Sequence, residues 1–379
     1  MKPFGRATLI RLLIYLSILG FWAVYILPQK GKKPEREPED ALKENSSQGP
    51  RSEGGPLDTN DPKSLDQSIG TSKITPTPDQ DVPELYTPIQ FTASQLQSWL
   101  DQKKGNPSQL AQAKIVAGML LNHAEMIRAG VESDPGNPQA AYIGATHDSF
   151  SQEEQLQYSR QFFQNAPENA LASYLYAARL FESGDQNAAI RVLHESKDRQ
   201  LVDDYSLATK QFSEDAYLHA GASELSAKFQ SWASLQKPYL RDILSFAGEL
   251  DDVADSLPQS EAKSLRQVTA SMGSKTRQSV ATGTIIEQLS GLAIEEKSLE
   301  GLGHDEPSHY EGMTTLEVKE SIQQEREEIK TVMKQMDIDS LIRSSHPDLL
   351  QEFVENIWKI GELEAVKEFR QKANKHSSQ

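Results

Sequence analysis

Two stretches of this chain repeat each other at a fixed distance. Asp134-Pro135-Gly136-Asn137-Pro138-Gln139-Ala140-Ala141-Tyr142 aligns with Ala166-Pro167-Glu168-Asn169-Ala170-Leu171-Ala172-Ser173-Tyr174, shifted by 32 residues. Pro135/Pro167, Asn137/Asn169, Ala140/Ala172, Tyr142/Tyr174 and Ala145/Ala177 are identical pairs within that register. A period of this length confines a chain to stacked supersecondary units, because one unit cannot bury its apolar face alone. The residue types agree with helices: Pro closes the preceding helix, Asn caps the next, and small Ala residues let a neighbouring helix approach. A stretch of alternating apolar and polar residues is missing throughout, so the expected fold class is all-α with essentially no sheet.

The second copy runs on into Leu180-Phe181-Glu182-Ser183-Gly184-Asp185-Gln186-Asn187-Ala188-Ala189-Ile190. Gly184 has the form of a helix C-terminal glycine and Asp185 that of the next N-cap, which gives a helix–turn–helix hairpin. Ala177, Gly184-Asp185, Ala189 and Leu193 match the small, turn, small and large positions of a repeat, and the stretch resembles a tetratricopeptide repeat. The departures are Ser173, where that family has a large residue, and Leu201, where a closing Pro is common. The resemblance covers 138–165 fairly and 169–198 well, with Asn106–Gly136 as an incomplete unit before them. It implies a peptide or protein partner held in a groove lined by the first helix of each hairpin. Tyr142, Tyr174, Tyr176 and Arg179 lie on those helices and are the expected groove contacts, although the equivalence of Tyr142 and Tyr174 equally suits inter-helix packing.

Around these hairpins the start and stop signals continue. Thr92 and Gln95 form a capping-box pair with Phe91 and Leu96 as staple, predicting a helix over 93–104. Asn106-Pro107 opens a helix whose apolar stripe, from Leu110 to Ile127, predicts continuity to Gly130. Further helices are expected over 204–212, 214–231, 238–256, 261–272, 276–300, 313–336 and 347–372, with Gly273 as a break and 301–312 as a loop. Glu325 interrupts the apolar seam of 313–336, which argues for a packed surface helix over a coiled coil. Trp358 reads as a core residue at the rim rather than a partner anchor.

The N-terminus is of another kind. Ala7 to Leu27 carries no charge except Arg11, and 21 helical residues rise about 31 Å, enough to cross a bilayer. No small-x-small cleavage site follows it, so an uncleaved single-pass anchor is expected, with the lipid bilayer as a partner of residues 7–27. Its flanking charges nearly cancel; the short N-terminal tail favours a cytoplasmic tail and an extracytoplasmic main domain, at the inner membrane in a bacterium. Between Pro28 and Gln90 lie ten of the 19 prolines and few apolar residues, the composition of a disordered tether. The expected organisation is thus 1–28 tail and anchor, 29–90 Pro-rich acidic linker, 91–203 repeat region, 204–300 helical region, 301–312 loop and 313–379 C-terminal helices.

Charge narrows the function. The net charge is −16, but the first 36 residues carry seven basic and one acidic residue, leaving 32 basic and 54 acidic beyond them. So acidic a main domain argues against nucleic acid and for basic partners, and it is repelled from an anionic membrane surface. Zero Cys excludes disulfides, thiolate metal sites and a Cys nucleophile. Phosphate-binding, zinc-protease, serine-hydrolase and EF-hand patterns are absent. His304 and His309, with Asp305, Glu306 and Glu311, are the single metal-like constellation, and such residues are routine in a polar loop. The expectation is a membrane-anchored, non-catalytic helical scaffold without metal or cofactor. The alternative is a membrane-tethered enzyme whose site is assembled from sequence-distant residues.

Overall fold

The computed structural model describes residue 89 and residues 91–278, 283–334 and 347–377. The expected membrane segment and almost all of the linker lie outside these residues. The described residues are mostly helical and contain no strand, only two isolated bridges.

Helix α1 (Ala93–Lys103) starts as its capping box dictates: Thr92 Oγ1 accepts from the Gln95 amide at 3.2 Å, and Gln95 Oε1 from the Thr92 amide at 2.9 Å. Helix α2 (Pro107–Leu121) opens on Asn106, whose side chain accepts from the Gln109 amide. The expected continuity to Gly130 fails. Asn122 takes the left-handed conformation (φ 53°), His123 caps a new helix, and α3 (Ala124–Ser133) folds back along α2. Glycines make the reversal possible. A Cβ on Gly118 would sit 2.6 Å from Ile127 Cγ1, and one on Gly130 would sit 2.7 Å from Ile115 Cγ1. Each helix therefore receives the other's isoleucine against bare backbone.

Two more hairpins follow: α4 (Pro138–Thr146) with α5 (Gln152–Asn165), then α6 (Ala170–Glu182) with α7 (Gln186–Glu195). All three open on an asparagine cap, Asn106, Asn137 and Asn169. The unit read from sequence as incomplete is thus a whole hairpin. Past α7, the segment around Leu201, where the repeat pattern lacks its closing Pro, is tied back to the second copy. Asn169 Nδ2 donates to the Asp203 carbonyl at 2.7 Å, and the Ala170 amide donates to the Leu201 carbonyl at 2.7 Å.

The second half departs from expectation at four boundaries. Helix α8 (Ser206–His219) runs unbroken through residue 213 and turns at Gly221 (φ 95°) into α9 (Glu224–Ala233). Helix α10 spans Tyr239–Ser256. Helix α11 (Gln259–Arg277) continues through Gly273, and α12 (Ile285–Glu300) starts late because Thr284 and Glu287 form a capping box. After α13 (Thr315–Lys334), the expected last helix is two, α14 (Pro347–Ile360) and α15 (Glu362–Ser377), divided at Gly361 (φ 85°). The 301–312 segment is pinned rather than merely solvated: the Glu306 carbonyl accepts from the Thr315 amide at 2.8 Å, and the His304 carbonyl from the Leu316 amide at 3.1 Å. Glu325 meets Arg277 at 2.5 Å, which explains a carboxylate in the α13 seam. Trp358 packs at the rim of the α14–α15 cluster, with Lys210 Nζ 4.6 Å from its ring.

One core matters for function. It joins the hairpins to α10 and α11 through Ile115, Tyr142, Leu171, Tyr174, Tyr239, Ile243, Phe246 and Leu265. Helix α8 packs on α2 and α10 packs on α6. The first helices of the hairpins are therefore covered by later helices of the same chain.

Candidate functional site

That cover decides where the four expected groove residues go. Arg179 and Asp242 of α10 meet at 2.5 Å, each with a side chain 6% exposed, and Arg179 Nη1 also binds Glu182 at 2.8 Å. Tyr142 stacks edge-on to Phe162 and to Tyr239 of α10, with ring centroids at 5.8 and 6.4 Å. Tyr174 is buried in the same core, its hydroxyl toward Ser196 beyond the end of α7, and burial raises its pKa. Tyr176 alone is half-buried, its ring 5.4 Å from Phe163. The expectation of an open face is corrected for Tyr142, Tyr174 and Arg179, which spend their side chains inside the chain. Tyr142 and Arg179 do line the first helices, but what faces them is α10.

Beside this face lies a buried ionic cluster that the sequence reading missed. Lys237 Nζ reaches Asp204 Oδ2 at 2.7 Å, Glu287 Oε1 at 3.0 Å and Ser206 Oγ at 2.8 Å. Tyr239 donates its hydroxyl to Glu287 Oε1 at 2.6 Å. The Lys237, Asp204 and Glu287 side chains are at most 6% exposed. Burial disfavours the Lys237 charge, yet the Asp204 and Glu287 carboxylates outweigh it and raise its pKa. At Asp242 the balance tips the other way: burial raises its pKa although Arg179 opposes. Two signals of this cluster were present in sequence. Asp242 interrupts the apolar stripe of Tyr239, Leu240, Ile243 and Phe246, and Thr284-x-x-Glu287 is a capping box.

Where α8 and α10 begin, the cover leaves a cleft of about 200 Å³. Met119 of α2, Tyr142 and Thr146 of α4, Asp204 and Pro238 form parts of its wall, with His147 and Asp148 just past α4. Burial is the main reason why the Tyr142 phenol is held well above its usual pKa, followed by the Asp204, Glu287 and Asp242 carboxylates, so it stays neutral. Its hydroxyl is buried, and the Thr146 side chain, whose own proton goes to the Tyr142 carbonyl at 2.9 Å, lies beside it and opposes the rise. His147 is half-buried and its pKa is pulled down by that burial. Its Nδ1 accepts the Ser149 amide at 3.1 Å and lies 2.5 Å from Ser149 Oγ, which leaves the ring proton of the neutral form on Nε2. A serine hydroxyl beside an imidazole suggests an activated nucleophile, but here the same nitrogen caps the serine's own amide in a two-residue turn. Ser149 is not among the cleft's lining residues. The arrangement offers hydrogen bonding, an apolar wall and negative charge.

His304 and His309 are placed differently from a metal site. His309 Nε2 lies 3.0 Å from Glu295 Oε1 with both side chains nearly inaccessible, while His304 contributes its carbonyl to the loop. Among the described residues no group of three or more His, Asp or Glu side chains is arranged to hold a metal ion. Nor, among them, is any helix long and apolar enough to cross a membrane; the 7–27 segment lies outside the described residues. No protein-family model, curated protein or solved structure matches the chain.

Proposed function

We propose that this protein is a membrane-anchored, non-catalytic helical scaffold that binds a protein or peptide partner. In this reading residues 7–27 are the anchor, 29–90 the tether, and the tetratricopeptide-like hairpins between 106 and 198 the framework on which the partner docks. The main domain lies outside the cytoplasm. The observation that carries the proposal is the position of the cleft. It opens on Met119 of α2 and Tyr142 and Thr146 of α4, the first helices of two successive hairpins, and so where the resemblance expects a partner. The acidic excess beyond residue 36 favours a basic partner.

The test uses the full-length chain in detergent against a displayed library of random peptides. Enrichment of a peptide family is expected, and Met119→Trp, which fills the cleft from a half-buried position, should abolish it while far-UV circular dichroism stays unchanged. A library that yields no binders, or binders indifferent to Met119→Trp, would overturn the proposal.

A further inference from the structure

We infer that Arg199 is a second contact point for a protein partner, receiving an aspartate or glutamate side chain on the open edge of its guanidinium. None of the residues involved lines the cleft, so this contact goes beyond the binding reading above and stands or falls without it.

Charge pairing singles this arginine out. Arg128, Arg179, Arg266, Arg277 and Arg326, all buried or half-buried, each meet a carboxylate. Arg199 is half-buried too, yet among the described residues its side chain has neither an ion pair nor a hydrogen bond. Burial pulls its pKa down, and Glu195 and Glu168 oppose the shift without pairing with it. An arginine stays charged all the same. Nη1 is sealed from solvent without a partner, which leaves Nε and Nη2 as the open edge. That edge carries two N–H donors, a fork that matches the two oxygens of a carboxylate.

The guanidinium is held in place. Its Cζ lies 4.4 Å from the centre of the Phe163 ring of α5. The Arg199 amide donates to the Ser196 carbonyl at 3.1 Å, and Lys275 Nζ of α11 donates to the Arg199 carbonyl at 2.8 Å. Stacking and a fixed backbone lower the ordering cost that a surface arginine incurs on binding. Tyr176, the one expected groove residue left half-buried, packs against the same Phe163 ring at 5.4 Å. Leu201, two residues on from Arg199, is 44% exposed and adds apolar surface for the residue next to the acid. The contact lies outside the groove that the resemblance implies, because Phe163 belongs to the second helix of its hairpin and Arg199 follows α7.

Charge also selects the ligand. The acidic excess of the domain opposes every anion, and Glu168 and Glu195 do so locally. A singly charged carboxylate meets less of that repulsion than a phosphate of nearly two charges, and one guanidinium neutralises it. A partner that is basic overall is still drawn in by the domain's field, and one acidic residue in it suffices for this contact.

The probe is acetyl-Gly-Glu-Leu-Gly-amide, compared with its glutamine and phosphoserine counterparts by saturation-transfer NMR on the full-length chain in detergent. The glutamate peptide should bind at least about tenfold more tightly than the glutamine peptide, the scale of a hydrogen bond to a charged group. Arg199→Lys keeps the charge but loses the fork, and should remove most of that preference while far-UV circular dichroism stays unchanged. Glu168→Gln combined with Glu195→Gln, both on the surface, should strengthen glutamate binding. Equal binding of the glutamate and glutamine peptides, a preference for phosphoserine, or indifference to Arg199→Lys would overturn the inference. Met119→Trp should leave glutamate binding intact, and a loss there would move the contact to the cleft and overturn it as well. If the glutamate peptide binds through Arg199 while the random library yields no Met119-dependent binder, only the cleft reading falls.

Discussion

Glu154 meets two demands with one carboxylate. Its Oε2 accepts from the Ser151 amide at 2.7 Å and so closes the capping box of α5, while Arg128 of α3 binds the same group. Arg128 also donates to the Ser149 carbonyl at 2.6 Å and lies 4.5 Å from the Phe150 ring, so one cation fastens the α4–α5 turn to the previous hairpin. Arg128, then the Ser151 backbone and hydroxyl, hold the Glu154 carboxyl down at about 2. A carboxylate with a depressed folded pKa stabilises the fold above its unfolded value, near 4.5, and loses that contribution as pH falls toward 2. Glu154→Gln should therefore lower the urea midpoint at pH 6, and the gap to the parent protein should close between pH 4.5 and 2. A gap that stays constant over that range would mean the carboxylate's charge plays no part. The solvent-facing position keeps the effect modest. Much at this scale was legible from the sequence, because a cap is a local contract between neighbours. Thr92 with Gln95, Asn106 before Pro107, Asn137, Asn169 and Asp185 all cap where their residue types place them.

Elements were harder to read, and the glycines show why. Gly221 and Gly361 end helices with φ of 95° and 85°, as a punctuating glycine should. Gly273 looks the same in sequence but sits inside α11, because its missing side chain is needed by another helix. A Cβ there would lie 2.6 Å from the Gly291 carbonyl oxygen, and one on Gly291 would lie 2.5 Å from the Gly273 oxygen. Two backbones meet with nothing between them, a demand set by a residue 18 positions away. Likewise the apolar stripe from Leu110 to Ile127 keeps helical spacing on both sides of Asn122, so periodicity alone cannot see the reversal. Gly273→Ala should destabilise the protein by about 1–3 kcal/mol, since backbone oxygen cannot step aside. Gly248→Ala is the control: on α10 it would meet only Lys297 Nζ at 3.6 Å, and should stabilise by up to ~1 kcal/mol through helix propensity. Denaturant melts of the two variants decide it; a Gly273→Ala protein as stable as Gly248→Ala would contradict the close crossing.

At the scale of the whole molecule, the first helices of the hairpins are a core face rather than an open groove. Sequence placed Tyr142 and Arg179 correctly on those helices but could not say what faces them, because Asp242 is 63 residues from Arg179. Nor could it find the cleft, whose walls come from α2, α4 and the starts of α8 and α10 and converge only after the chain has folded. The cover by α10 makes a test of the architecture. A fragment of residues 91–203 keeps every hairpin cap but loses Tyr239, Ile243 and Phe246, each buried at 2% exposure or less. Each such side chain contributes roughly 1.5–3 kcal/mol when buried, and the three together approach the 5–15 kcal/mol that stabilises a typical domain. The fragment would also leave Arg179 without Asp242. It should therefore retain helical circular dichroism yet melt without a sharp transition and bind a hydrophobic dye, while the full-length chain melts cooperatively and protects the α6 amides from exchange. A fragment that melts as sharply as the full chain would show that the hairpins stand alone, and that α10 is only laid against a face already complete.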